Sequence, residues 1–186
     1  PYGRSARPLD LMERFPPSVL RLEVERPFER WWLQGVLHWD DAPADVVTPL
    51  PDEPVHVFDL WENRYFGIQR GQLAFQRMAP HSAKLLALRP ARAEPQIVSS
   101  TFHFSQGAVE IEDVRFDPEG MALTVRLLRP ARGQGEIIIH VPPSYRESAS
   151  GGLESDALAE MSRRPDGLLA VRLRLEERAQ FTLRFQ

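Results

Sequence analysis

The stretch Met121-Ala122-Leu123-Thr124-Val125-Arg126-Leu127 decides the fold class. Met121, Leu123, Val125 and Leu127 fall on one side of an extended chain, and Thr124 and Arg126 on the other, because successive side chains of a strand alternate faces. A helix would space its apolar residues by three and four, and that spacing is nearly absent from the whole chain. The C-terminal residues repeat the alternation. Leu169, Val171, Leu173 and Leu175 alternate with Arg172 and Arg174, and Phe181, Leu183 and Phe185 alternate with Thr182 and Arg184. One apolar and one wet face is what antiparallel sheets present.

Working outward, the turns agree. Asp117-Pro118-Glu119-Gly120 separates a strand over 109–116 from one over 121–128, and Arg164-Pro165-Asp166-Gly167 precedes the strand at Leu168. Proline presets φ and glycine accepts positive φ, so such turns close hairpins. Further strands are expected over 20–24, 31–39, 55–60, 73–78, 84–88, 97–104 and 136–141. Residues 7–15 read as a short helix or an incoming linker. Residues 153–164 (LESDALAEMSRR) have helix-forming composition, but the turn after them asks for a strand or loop. The expectation is an all-β chain: one antiparallel β-sandwich of the Greek-key type over 19–186.

Composition excludes several function classes. The 186 residues, 42% hydrophobic and 26% charged, suit one ordinary globular domain. No cysteine is present, which removes disulfides and thiol chemistry and leaves the redox compartment open. No apolar run approaches the roughly 20 residues of a membrane helix, and no signal peptide opens the chain. The start at Pro1, without methionine, reads as an excised domain. A net charge of −3 gives no field for nucleic acid. Arg172 and Arg174 share a strand face, but Glu176 and Glu177 follow, so that face reads as solvated.

No active-site pattern in the sequence is complete. Asp40-Asp41 with Asp45, and Asp52-Glu53, could supply the carboxylate pair of a glycosidase, yet both sit among Ala and Pro in what reads as a strand-end loop. His38, His56, His81, His103 and His140 are scattered, and His56 and Asp59 fall on opposite strand faces, so no metal site is expected. His103-Phe104-Ser105-Gln106-Gly107 has histidine where a nucleophile elbow needs its first glycine. Gly133-Gln134-Gly135 reads as a hairpin loop, not a phosphate cradle. Nothing calls for a cofactor.

Aromatic residues carry the remaining candidates. Trp31, Leu33, Leu37 and Trp39 share one strand face and read as core. Trp32, Gln34, Val36 and His38 share the other, where an indole beside hydrogen-bonding groups suits a domain interface, ordinary core or a sugar platform. Trp61, Tyr65 and Phe66, around Glu62, Asn63 and Arg64, form a second mixed cluster, read as a loop, with the same three readings open.

Several of these residues also carry a resemblance. His56-Val57-Phe58-Asp59-Leu60-Trp61 followed by Tyr65-Phe66-Gly67, then Ala79-Pro80-His81-Ser82, then Thr101-Phe102-His103 leading to Gln106-Gly107, resemble the C-terminal β-domain of melibiase-type α-galactosidases (glycoside hydrolase families 27 and 36). Arg7-Pro8-Leu9-Asp10 and Leu37-His38-Trp39-Asp40-Asp41 resemble the link from the barrel and the first long strand. The likeness covers roughly residues 7–142, in short and degenerate motifs. It implies that residues 1–18 are a linker from an upstream catalytic (β/α)8 barrel, which needs about 250 residues of its own. It further implies that residues 19–186 are a non-catalytic accessory domain stabilising that barrel. No catalytic residue carries over. The implied partners are the barrel and a carbohydrate, with no nucleic acid and no membrane. Candidate interface or binding residues are Trp32, His38, Trp61, Tyr65 and His103. An independent carbohydrate-binding module is the alternative.

Overall fold

The computed structural model of the chain describes residues 5–128, 133–146 and 152–186. It is all-β, and every strand pairing is antiparallel. The chain divides into two compact units, the first taking residues up to Glu25 and Glu29–Ala91, the second Arg26–Phe28 and residues from Arg92 onward. The alternating pattern, legible over the whole length, does not mark this boundary.

In the first unit β1 (Arg7–Pro8), β2 (Val19–Glu25), β3 (Arg30–His38), β8 (Ser82–Pro90), β5 (Val55–Asp59) and β6 (Arg64–Gln69) form a six-stranded sheet in that order. β4 (Ala44–Pro49) and β7 (Gln72–Met78) pair with each other. Val36, Val55, Val57, Leu86 and Leu88 of the large sheet share one core with Leu50, Phe75 and Met78, so the small sheet lies over one face of the large one. Every residue of β5 (VHVFD) is buried, as expected of a strand covered on both faces. The segment read as a linker is tied to this unit. Arg7 and Pro8 pair with Arg21 and Leu20, and the Asp10 carboxylate accepts hydrogen bonds from the Ser18 and Val19 amides.

In the second unit β10 (Ile111–Asp117), β11 (Ala122–Leu128), β16 (Arg178–Arg184) and β13 (Leu153–Ser155) form one four-stranded sheet. β14 (Ala159–Arg163), β15 (Leu169–Leu175), β12 (Gly133–His140) and β9 (Gln96–Ser100) form another. Leu123, Val125, Leu127, Phe181 and Leu183 from the first sheet meet Ile97, Ile137, Ile139, Leu169, Val171 and Leu173 from the second in a single apolar core. The alternation of β11, β15 and β16 read from the sequence is the inward half of that core.

Residues 153–164 show why helical composition does not win. Leu153, Ala159 and Met161 pack against this core from β13 and β14. Burying one large apolar side chain contributes about 1.5–3 kcal/mol, whereas helix propensities differ by at most about 0.7 kcal/mol between ordinary residues. Two other expectations change. The strand at Ile97 stops at Ser100, and Gly133-Gln134-Gly135 is the start of β12 and not a loop. Gly135 is required there because a Cβ would come within 2.8 Å of the Phe102 ring.

Candidate functional site

The mixed face of β3 is the first candidate. Gln34, Val36 and His38 are all buried, because the β4–β7 pair covers that face. The Gln34 side-chain amide donates to Thr48 Oγ1 at 2.8 Å and to the Pro49 carbonyl at 3.0 Å, and its oxygen accepts from Arg21 Nε at 2.7 Å. Burial lowers the Arg21 pKa from its ordinary value, and the nearby Asp52 opposes this. His38 Nε2 donates to the Ala42 carbonyl at 2.8 Å, since a carbonyl can only accept. Its Nδ1 lies 3.8 Å from Asp40 Oδ2. His38, one of the candidate interface residues, is buried, and its ring is engaged within this chain. Trp39, expected in the core, is exposed instead, because β3 ends at His38; the Trp39 indole donates to the Pro17 carbonyl at 3.0 Å.

Trp32 remains half-buried, paired across the sheet with Glu23 and Leu88. The Arg30 guanidinium stands 5.1 Å from its ring centroid, bridging to Glu23 and Glu53. With Arg7, Arg21 and Glu23, Trp32 lines an open cleft of about 620 Å³.

Trp61 and Tyr65 flank a hairpin turn, and β6 replaces the loop expected there. Asp59 fixes this turn: its Oδ1 accepts from the Trp61 amide at 3.0 Å and the Glu62 amide at 3.2 Å. Lys84 bridges buried Asp59 and exposed Glu62. Tyr65 turns inward, its hydroxyl 2.6 Å from His56 Nδ1, while Trp61 points out. The two aromatics thus serve different ends, one packing and one facing solvent.

His103 belongs to the second unit and the other four candidates to the first. His103 Nδ1 accepts from the Ser105 hydroxyl at 2.7 Å and the Ser105 amide at 3.2 Å, so this serine–histidine pair closes its own turn. Beside it lies a buried polar group that sequence reading missed. Gln106, at positive φ, accepts from Ser99 Oγ at 2.6 Å and donates to the Ser100 carbonyl at 2.9 Å, while Ser100 Oγ donates to Glu110. These bonds hold residues 101–110 off the strand path. The one mark of this break that the sequence carries is Gly107, which follows Gln106 and also lies at positive φ.

The acids near Asp40 do form part of a cleft, of about 490 Å³, between residues 9–19, the end of β3 and the β4–β7 pair. Asp10, Glu13, Arg14, Ser18, His38, Asp40 and Asp45 contribute side chains to its wall. Arg14 pairs with Asp40 at 3.0 Å, and Asp45 accepts the Arg77 amide at 2.8 Å. Next to it the chain exposes apolar side chains in sequence: Leu9, Leu11, Met12 at 97% and Phe15 at 88%. Trp39 and Val47 add to these.

Among the described residues no group of three or more His, Asp or Glu side chains could hold a metal ion. No helix among them is long and apolar enough to cross a membrane. No protein-family model matches the chain, and a search of curated proteins finds no match.

Proposed function

We propose that this chain is the C-terminal accessory domain of an α-galactosidase-like glycoside hydrolase, with no catalytic role of its own. It stabilises a catalytic barrel of the same parent chain by packing against it. In this reading the two sheets of the second unit are a Greek-key β-sandwich, and the first unit carries the contact surface. The observation that supports it is the exposed apolar segment at Leu11, Met12 and Phe15. Scattered exposed apolar residues are ordinary, but a clustered set marks an interaction site. This segment falls where the resemblance puts the link to the barrel.

The test is Met12→Ser with Phe15→Ser, made both in this chain and in the full-length gene product. Both side chains are almost fully exposed here, so the stability of this chain changes by no more than about 0.5 kcal/mol. The full-length protein loses several degrees of Tm. An unchanged Tm in the full-length protein overturns the interface reading.

A second reading, an independent carbohydrate-binding module, is favoured by Trp32, whose indole borders a cleft beside Arg7, Arg21 and Glu23. It requires that galactose or melibiose quench the tryptophan fluorescence of this chain and that Trp32→Ala abolish the effect.

A further inference from the structure

The cleft beside Trp32 holds two arginines to which no carboxylate bonds among the described residues. Arg7 and Arg21 are direct partners across β1 and β2, so their side chains leave the same face of the sheet. Like charges placed directly opposite one another destabilise a sheet. Both line the cleft, together with Glu23 and Trp32, which are partners across β2 and β3. The arginine on the other side of the indole, Arg30, is already matched: it bridges Glu23 at 3.6 Å and Glu53 at 3.5 Å.

A second observation is the way Arg21 is held. Its Nε donates to Gln34 at 2.7 Å and its Nη2 to the Pro49 carbonyl at 2.8 Å, so both acceptors are neutral. Its Nη1 makes no hydrogen bond among the described residues and reaches solvent. The guanidinium is therefore fixed in place with one nitrogen open. Burial lowers its pKa in spite of Asp52, so the chain itself compensates this charge only in part. Arg7 is exposed, and its guanidinium has no hydrogen bond or ion pair among the described residues.

We propose that this cleft binds an acidic sugar, a hexuronate, whose carboxylate meets Arg7 and Arg21. The arginines identify the anion: both keep N–H donors unused, and guanidinium–carboxylate bonds are charge-assisted. The other side of the lining identifies a sugar and not a bare anion. An ionised Glu23 only accepts hydrogen bonds, which suits ring hydroxyls and repels a second carboxylate, and the half-buried indole of Trp32 offers apolar surface to ring C–H groups. A cleft of about 620 Å³ is in the range of small-molecule sites. The proposal rests on the carbohydrate reading of Trp32 and names the class of sugar.

The probe is sodium galacturonate, followed by NMR of this chain through its backbone amides and its four indole N–H groups. Galactose and the methyl ester of galacturonate keep the ring and lose the charge, and acetate keeps the carboxylate and loses the ring. Galacturonate is expected to bind with a millimolar dissociation constant and to shift the Trp32 indole and the amides of residues 5–9 and 21–23. Galactose, the methyl ester and acetate are each expected to bind about fivefold more weakly, the scale of one partly exposed ion pair. Arg7→Gln lowers galacturonate affinity by the same factor and leaves galactose affinity unchanged. Arg7 makes no side-chain bond among the described residues, so this variant folds as the parent does. Equal binding of galacturonate and its methyl ester overturns the acidic sugar and leaves the neutral carbohydrate reading standing. Equal binding of galacturonate and acetate overturns the sugar and leaves a bare carboxylate site. No shifts with any sugar at tens of millimolar overturns the proposal and the carbohydrate reading together.

Discussion

Arg89 is fully buried near the end of β8, an unusual place for arginine, and its environment explains it. Its guanidinium pairs with the largely buried Glu29 and lies 4.3 Å from the centroid of the buried Trp31 ring. Removing one partner of such a pair leaves an uncompensated charge, so Arg89→Ala is expected to cost about 3–5 kcal/mol. Arg89→Met combined with Glu29→Leu costs much less, and urea unfolding of the three proteins measures the difference. A second residue gives a pH dependence. Burial lowers the pKa of His140 below its ordinary value of 6.5. The folded state then binds fewer protons than the unfolded chain, so stability rises with pH. The contribution is complete above the unfolded value and is lost as pH falls through it toward the lowered folded value. Urea midpoints are therefore expected to fall below about pH 6.5 more steeply for this chain than for His140→Gln. Equal slopes would remove His140 from the account.

At the scale of elements, how much was legible depended on where each strand's cover comes from. β11, β15 and β16 announce themselves because their inward residues are mostly Leu, Val and Phe at alternate positions. β4 and β6 do not. β4 is short and set among Asp40, Asp41, Pro49 and Pro51, and its one buried side chain is polar Thr48. β6 carries Gly67 at positive φ and has no fully buried residue. Missing β4 also hid what covers His38 and Gln34, since that contact joins residues distant in sequence. The mixed face of β3 was visible in the sequence, but its burial was not. β12 offers a sharper test. Gly135→Ala is expected to cost about 1–3 kcal/mol by overpacking against Phe102. In a Phe102→Ala background the sign reverses, to a gain of about 0.5–1 kcal/mol, because glycine in an open strand is less stable than alanine. A cost that persists without Phe102 places the strain elsewhere.

For the whole molecule, the sequence made the all-β class plain and gave no sign of two compact units, since both are written in the same alternating pattern. The candidate residues divide by exposure and not by unit: His38, Tyr65 and His103 are engaged in internal hydrogen bonds, whereas Trp61 and part of Trp32 reach solvent. The most exposed apolar surface lies in the segment at Met12 and Phe15, which the sequence left as a short helix or linker. An exposed turn has no periodicity to read. We have proposed that this chain supports a catalytic partner and performs no cleavage itself. The most direct test is to assay this chain and the full-length gene product side by side on aryl α-galactosides. The account predicts cleavage by the full-length protein and none by this chain. Cleavage by this chain alone would contradict it and return attention to the acids around Asp40.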